Sequence, residues 1–275
     1  MISVTLPIYN RSHLLRRSLY SLTLWHAFPP DAYEVIVADD RSDDRTELEA
    51  VVDEFAQRIN IKLVDVGWYR PEEINGNAKA RNTALRHAKG DTIVITEPEI
   101  LHLTNSLMLT WEVQRRGESI VGACGKWWKL QAWPQDVERQ ERALEGVDPR
   151  DQEATRAAFA DLICGVKPFS EKQPGKQVFL SVPRRLIVDE LNGYDERFTH
   201  WGGEDQDMFG RLVRAGGELV GVPEMQCIHM SHRCLYVTDR TAYEQQTALL
   251  SQREGDRRNP GTWLGRPREN AKHSQ

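Results

Sequence analysis

Acidic residues lie directly after two predicted strands, in positions where carboxylates can do chemistry. Asp39 and Asp40 follow a short apolar run that ends at Ala38, and the triplet Glu97–Glu99 (EPE) follows the run Thr92–Thr96. Ligands bind outside the carboxyl ends of the strands in an open α/β sheet. Such carboxylates therefore suit hydrogen bonds to a base or a ribose, or a divalent cation. Turn residues with merely solvated carboxylates would give the same pattern.

A second cluster, the segment WGGEDQD that begins at Trp201, combines an aromatic ring, two glycines and neighbouring carboxylates. Gly202 and Gly203 would let the backbone approach a ligand closely. Trp201 can offer an aromatic face to a ligand, or it can fill the core. Glu204 and Asp205 open a predicted helix, where the helix dipole favours ionised carboxylates. A carboxylate placed there could take a proton from an attacking hydroxyl group.

Two histidines, His229 and His232, follow this cluster and are separated by only two residues. A neutral imidazole can bind a metal beside a carboxylate and diphosphate oxygens. Two nearby histidines can equally be hydrogen-bonded polar residues of the fold, and the residues themselves leave both interpretations open.

The elements that must position these residues alternate between strand and helix patterns in the first hundred residues. The predicted strands are Ile2–Ile8, Tyr33–Ala38, Asn60–Val66 and Thr92–Thr96, and the predicted helices run from Ser12 to Leu24, through Leu48–Phe55, and over Asn77–Lys89 with Gly90 as its C-terminal glycine. Alternation of this kind predicts βαβ units, and hence an α/β fold with a Rossmann-like, mainly parallel sheet flanked by helices.

The second half of the chain has a less regular pattern. Helices are predicted over Leu103–Arg116, Val137–Leu162, Arg184–Leu191 and Glu204–Ala215, and strands over Ser119–Ala123 and Val178–Val182. The last residues, 251–275, combine basic side chains with Gly, Pro, Asn and Ser, which predicts a flexible basic tail.

Composition excludes several classes of protein. Hydrophobic residues make up 40% and charged residues 28% of the 275 residues, which is typical of a globular protein with its own core. The net charge of −5 argues against a dedicated nucleic-acid-binding surface. No apolar run approaches the ~20 residues of a membrane span, although peripheral membrane association stays open. Four scattered cysteines predict buried thiols in a reducing cytoplasm.

The first hundred residues resemble the nucleotide-binding half of GT-A glycosyltransferases, most closely family 2. Leu6–Asn10 (LPIYN) matches the Pro-x-Tyr-Asn end of that family's first strand. Val37–Asp44 (VADDRSDD) is similar to its VDDGSxD pattern, with Arg41 in place of Gly. Ala80–Glu99 (ARNTALRHAKGDTIVITEPE) follows the family's ARN…DxD segment, with Glu replacing Asp at both ends of DxD. The longer Glu side chain can still hold Mg²⁺ or Mn²⁺, with altered geometry.

Residues 192–217, which read NGYDERFTHWGGEDQDMFGRLVRAGG, resemble the acceptor-side motif of a second group. That group comprises β-1,4-galactosyltransferases, polypeptide N-acetylgalactosaminyltransferases and chondroitin-type synthases. Together the two resemblances imply one GT-A domain over residues 1–250. Its nucleotide-sugar-binding half would span residues 1–100, and its acceptor-binding half residues 101–250.

The resemblance also implies roles for individual residues. Those expected to bind the nucleotide-sugar are Pro7, Tyr9, Asp39, Asp40, Arg81, Glu97, Trp201, Gly202 and Gly203. Within this set Asp39 would contact the base, Arg81 the diphosphate, and Glu97 the ribose or the metal.

The metal and the chemistry are assigned in the same way. Glu99 and His232 would coordinate Mn²⁺ or Mg²⁺, with His229 as a candidate partner. Asp205 would act as general base, and Glu204 would bind or orient the acceptor. The Glu-Asp pair favours inversion of the anomeric centre, because retaining relatives usually carry Asn after that Glu.

The sequence thus predicts a metal-dependent inverting glycosyltransferase. It would move a sugar from a nucleotide-sugar, with UDP as the expected nucleotide, to a glycan or other hydroxyl acceptor. Two alternatives remain open: a non-catalytic nucleotide-sugar-binding module, and a nucleotidyltransferase with a related α/β sheet. A nucleotidyltransferase would normally carry a Gly-rich loop near the N-terminus, and the segment Leu6–Arg11 lacks one.

Overall fold

The computed structural model describes residues 1–25, 28–67, 77–131, 134–170, 177–199, 202–232, 240–253 and 255–256. Trp201 and the predicted tail from residue 257 onward lie outside these residues. No helix within the described ranges is long and apolar enough to cross a bilayer.

The front half alternates strands and helices as the sequence predicts. Its elements are β1 (Ile2–Ile8), α1 (Ser12–Thr23), β2 (Tyr33–Asp39), α2 (Arg45–Ala56), β3 (Ile61–Asp65), α3 (Asn77–His87) and β4 (Thr92–Thr96), with a short 3₁₀ turn at Pro30–Ala32. The four strands pair in parallel in the order β3-β2-β1-β4. Their carboxyl ends therefore meet at one edge, where the candidate carboxylates lie.

The back half extends the same sheet with mixed pairing. Its elements are β5 (Ile100–His102), α4 (Ser106–Gln114), β6 (Ile120–Leu130), α5 (Pro134–Leu144), α6 (Gln152–Ala158), a 3₁₀ turn at Ala160–Leu162, β7 (Ile163–Pro168), β8 (Phe179–Pro183), a π-helical turn at Arg185–Glu190, α7 (Glu204–Arg214), β9 (Glu218–His229) and α8 (Arg240–Gln252). The sheet continues β4-β8-β6-β9-β5, and β7 pairs with β6. Parallel pairing thus holds for the front half and for β6 with β9, whereas the other pairs are antiparallel.

Several back-half predictions differ from the structure. The helix predicted from Leu103 begins at Ser106, because the Asn105 side chain accepts a hydrogen bond from the Met108 amide and caps it there. The helix predicted over Val137–Leu162 is two helices, α5 and α6. The strand predicted to end at Ala123 continues to Leu130, since β7 and β9 pair along both of its edges.

Two apolar layers cover the two faces of the front sheet. Val35 and Val37 of β2 lie in one apolar cluster with residues of α1 and α2, whereas Ile36 of the same strand lies on the other face in a cluster with residues of α3 and α7. Alternate residues of a strand point to opposite faces, so strands covered on both sides are apolar throughout. Each fully buried side chain of this kind contributes roughly 1.5–3 kcal/mol to the free energy of folding. This packing makes the strand ends a rigid platform.

Gly90 was predicted to be the glycine that ends the helix over Asn77–Lys89, but the structure gives it another role. Its φ lies outside the left-handed region, and α3 already ends at His87. A Cβ on Gly90 would lie 2.6 Å from the Met1 carbonyl oxygen and 2.7 Å from the Ser3 amide nitrogen. Glycine is needed here because the chain passes so closely against β1.

Two further corrections concern the cysteines and the C-terminus. Cys124 and Cys227 are buried as predicted, but Cys164 is exposed. Helix α8 continues to Gln252 and Arg253 is 2% exposed, so residues 251–253 belong to the packed structure, whereas the tail was predicted to begin at 251.

Candidate functional site

Pairing between β5 and β9 brings a carboxylate from the front half next to two histidines. Ile100 is opposite His229, and the Met230 amide donates to the Glu99 carbonyl oxygen at 2.8 Å. One ligand atom from each of Glu99, His229 and His232 lies within 4.8 Å of the others. The Oε1 atom of Glu99 is 3.2 Å from Nε2 of His232 and 3.8 Å from Nε2 of His229. The structure therefore gathers Glu99, His229 and His232, the three predicted metal ligands, whereas Glu97, predicted to contact the ribose or the metal, is not in this cluster.

Hydrogen bonding fixes which nitrogen of His229 faces the cluster. Its Nδ1 lies 3.1 Å from the Met230 carbonyl oxygen, which can only accept, so Nδ1 carries the proton. Burial lowers the pKa of His229 to about 4 and keeps the ring neutral. The lone pair on Nε2 therefore faces the Glu99 carboxylate. Two electron-rich groups at this separation repel each other unless a cation lies between them, so the donor set fits a divalent metal.

Arg11 is a neighbour of this cluster that the sequence interpretation missed. Its Nη1 donates to both carboxylate oxygens of Glu99, at 2.9 and 3.0 Å. Burial opposes ionisation of Glu99, but the charge of Arg11 and the hydrogen bond from His232 outweigh it and hold the pKa of Glu99 well below its usual range. The carboxylate is therefore ionised, as a metal ligand must be. The position of Arg11 directly after the LPIYN motif could have pointed to it.

A second cluster surrounds the buried guanidinium of Arg81. This group pairs with Glu97, lies 3.6 Å from Oδ1 of Asp205, and stacks over the Tyr194 ring at 5.3 Å from the ring centroid. Two of its nitrogens, Nε and Nη1, are buried without a hydrogen-bond partner among the described residues. Burial raises the pKa of Glu97 against the opposing charge of Arg81, and the charges of Glu99 and Asp205 add to the shift. Glu97 is thus the electrostatic link between the two clusters.

The two carboxylates at the start of α7 differ in access to solvent. The Asp205 side chain is 35% exposed, whereas Glu204 is 4% exposed. The Glu204 Oε2 atom accepts a hydrogen bond from the Gly202 amide at 3.0 Å. Burial and the charge of Asp205 raise the pKa of Glu204. The Asp205 carboxylate is therefore accessible to an incoming hydroxyl group. The Glu204 carboxylate instead stabilises the turn formed by Gly202 and Gly203, called the glycine turn below.

The predicted base-binding residue, Asp39, ends β2 and is buried. Its Oδ1 accepts from the Ser42 amide at 3.0 Å, and its Oδ2 pairs with Nη1 of Arg45 at 2.8 Å. The loop after β2 also contains Arg41, whose φ of 63° is in the left-handed region where its family counterpart is Gly. Asp39 therefore shapes this loop in the structure, and its contact with a base stays a prediction.

The remaining predicted nucleotide-binding residues lie at the end of β1, beside Asp39 and at the start of α7. Pro7 is buried within β1, Tyr9 is half-buried just beyond it, and Asp40 is buried beside Asp39. Gly202 and Gly203 form a turn with φ of 100° and 97°, which favours glycine at both positions.

Asn82 on α3 is a further residue that the sequence interpretation did not assign. Its Nδ2 donates to the Tyr194 carbonyl oxygen and its Oδ1 accepts from the Tyr194 amide, both at 2.9 Å. A second bond from Nδ2 reaches Glu196 at 3.0 Å. Asn is unfavourable in helix interiors, because its side chain tends to hydrogen-bond to backbone groups. An Asn within the helical ARN segment was therefore a sign that its side chain binds the backbone of another segment. The side chain ties the nucleotide-side helix to the segment that leads to the glycine turn.

Replacing Asn82 with Leu is expected to destabilise the protein by roughly 2–5 kcal/mol, because two buried backbone groups of Tyr194 each lose a partner. Urea unfolding measures this free energy directly. Asn60→Ala, at an exposed position between α2 and β3, serves as the control and should change stability by less than about 0.5 kcal/mol. Equal stability of the Asn82 variant and the wild type would contradict this role.

Comparison with known proteins agrees with the fold and the motifs. Residues 3–120 match Glycosyl transferase family 2, and residues 162–233 match the N-terminal domain of galactosyltransferase. The chain has the fold of GT-A glycosyltransferases, and its residues 3–120 carry the family 2 match. The family match favours glycosyl transfer over the nucleotidyl transfer that the sequence left open.

Individual relatives show the same pattern. A probable N-acetylgalactosaminyltransferase 7 of Caenorhabditis elegans is 24% identical over 84% of this chain and 38% of its own length. Staphylococcus aureus TarS in complex with UDP superposes with a TM-score of 0.61 at 17% identity, over 91% of this chain and 64% of that one. Pyrobaculum calidifontis mannosyltransferase PcManGT, solved with GDP-Man and Mn²⁺, has a TM-score of 0.58 at 21% identity, over 93% and 65%. The chain thus spans between about one third and two thirds of the length of these relatives.

Proposed function

We propose that this glycosyltransferase moves a sugar from a UDP-sugar to a hydroxyl group of a glycan or similar acceptor, with inversion and with a bound divalent cation. The observation that carries the proposal is the cluster of Glu99, His229 and His232, electrostatically linked through Glu97 to the partly exposed carboxylate of Asp205. The UDP and Mn²⁺ in the solved complexes of TarS and PcManGT support the nucleotide and the metal.

In this proposal one carboxylate oxygen of Glu99 and the Nε2 atoms of His229 and His232 would hold the metal. When bound, the cation offsets the negative charge that develops on the leaving diphosphate. A 2-His-1-carboxylate set suits Mn²⁺ better than Mg²⁺, since imidazole is a borderline ligand and Mg²⁺ prefers oxygen. Glu in place of Asp at this position still supplies the hard oxygen that either ion needs.

Arg81 is proposed to bind the donor diphosphate. Its Nε and Nη1 atoms are buried donors with no hydrogen-bond partner among the described residues, which is costly unless a ligand completes them. The guanidinium already contacts Glu97 and Asp205, so it would lie between the donor and the base. The front half of the chain, residues 1–100, would thus bind the nucleotide-sugar, while residues 101–250 supply the acceptor side and two metal ligands.

Asp205 is proposed as the general base. Its carboxylate takes the proton of the acceptor hydroxyl as that oxygen bonds to the anomeric carbon, and the bond from this carbon to the diphosphate oxygen breaks. The products are the glycosylated acceptor and the nucleoside diphosphate. A single displacement of this kind needs one base on the face opposite the leaving group, and 35% exposure of the Asp205 side chain leaves room for the hydroxyl group.

Stereochemistry tests this function without knowledge of the acceptor, because water can replace it. With Mn²⁺ and a gluco- or galacto-configured UDP-sugar, we expect the first free sugar released to be the β anomer. Proton NMR during the first minutes of hydrolysis distinguishes its large anomeric coupling from that of the α form. An initial α product would contradict inversion, and no hydrolysis across a panel of UDP-sugars would favour the non-catalytic binding module.

A further inference from the structure

A network of buried charges lies beneath the first turn of α7. Asp207 accepts at Oδ2 from Nε of Arg211, at 2.8 Å, and at Oδ1 from Nε of Arg253, at 2.7 Å. Nη1 of Arg253 also lies 2.9 Å from Oδ2 of Asp195. These four side chains are between 0% and 3% exposed. Charges are seldom buried this deeply unless each is paired, so the network strongly fixes the geometry of the elements that supply it.

Arg253 comes from a part of the chain that neither family match includes. It follows α8 and lies 46 residues beyond Asp207. The helix it follows packs on the glycine turn, since the Gln246 carbonyl oxygen would lie 3.6 Å from a Cβ on Gly203. At the other end of α7, Nε of Arg214 donates to the Asp256 carbonyl oxygen at 2.7 Å. The C-terminal segment thus holds α7 near both of its ends.

We propose that Arg253 is a positioning residue for Asp205, and that α8 with its following turn is an integral part of the catalytic unit. Asp205 and Asp207 are two residues apart on α7, so they point about 200° apart around the helix axis. Arg211 belongs to α7 itself, so its bond to Asp207 does not orient the helix, and its only hydrogen bond outside α7 among the described contacts runs from Nη1 to the Leu191 carbonyl oxygen at 3.2 Å. Arg253 binds Asp207 from outside α7 and also pairs with Asp195. These contacts thereby fix the rotation of α7 about its own axis, and this rotation places Asp205 towards the acceptor. This inference rests on the proposed function of Asp205.

The test compares Arg253→Met, Arg253→Lys and the matched control Arg197→Met. Arg197 pairs with the same Asp195 at 2.7 Å but does not contact Asp207 in the described structure, and its side chain is 54% exposed. Arg253→Met is expected to lower kcat for UDP-sugar turnover by at least about tenfold, since misplacing a reacting group by about 1 Å can cost 10²-fold. Its affinity for UDP with Mn²⁺ should stay within about twofold of wild type. Arg253→Lys keeps one charge and should restore part of kcat, and Arg197→Met should retain the wild-type kcat.

Hydrogen–deuterium exchange supplies a readout that does not depend on turnover. In Arg253→Met we expect faster exchange of the amides at residues 204–208, with β1–β4 unchanged, and the Lys variant covers the case in which the Met variant does not fold. Unchanged exchange at α7 in a folded variant, an unchanged kcat, or an equal loss of kcat and UDP affinity would each overturn the inference. A wild-type protein without turnover would contradict the proposed function. The hydrogen–deuterium exchange rates of the α7 amides would then decide on their own whether Arg253 positions the helix.

Discussion

Replacing Asp205 with Asn is expected to slow sugar transfer by about 10²–10⁴-fold, the usual range for loss of a general base. Asn has nearly the same shape as Asp, so the turn that Glu204 braces and the contact with Arg81 should survive. The amide cannot take the proton of the acceptor hydroxyl, which removes only the chemical step. Affinity for the donor should therefore remain nearly unchanged.

Steady-state turnover and a separate UDP titration measure the two quantities independently. Asp53→Asn, at an exposed carboxylate on α2, is the matched control and should behave as the wild type. An Asp205→Asn variant that turns over at the wild-type rate would show that another group takes the proton. A non-catalytic binding module would bind UDP-sugars in every variant and release no sugar in any of them.

Replacing Glu99 with Gln is expected to weaken Mn²⁺ binding by at least about 100-fold, since even loss of an outer partner of a metal ligand can cost 10–100-fold. Gln preserves the size of the side chain but removes the negative charge that faces His229 and His232 at 3.8 and 3.2 Å. It also removes the ion pair with Arg11, so stability is measured alongside by thermal unfolding.

The control for this variant comes from the strand that carries His229. Glu224→Gln alters an exposed carboxylate on β9, five residues before His229, and should leave Mn²⁺ affinity unchanged because an extended strand of that length separates the two side chains. Equal Mn²⁺ affinity of Glu99→Gln and the wild type would remove Glu99 from the proposed metal site.

The front half of the fold could be predicted because its signals are local. The strand Ile2–Ile8 is a mostly apolar run rich in β-branched residues, and the structure places β1 over the same residues. The strand β9 could not be found this way, since it is rich in polar residues and contains Pro223 within a register shift of its pairing. The three residues of β5 form a strand only because β9 pairs with them.

The candidate site shows the same division. Motif spacing was enough to choose Glu99, His229 and His232, which the structure brings together although β5 and β9 were not predicted. The partners that tune the site were missed, because each contact joins segments far apart in sequence. Arg11 reaches Glu99 across 88 residues, and Arg253 reaches Asp207 across 46. Only the folded chain reveals these pairings.

We propose that a cation held by Glu99, His229 and His232 also binds the diphosphate of the nucleotide, and so allows it to enter a site lined with carboxylates. Calorimetric titration of UDP into the wild type, once with Mn²⁺ and once with EDTA, tests it most directly. A carboxylate-lined site repels a diphosphate unless a cation intervenes, so we expect UDP to bind with Mn²⁺ and to lose most of its affinity in EDTA. Equal affinity for UDP in the two titrations would contradict the account.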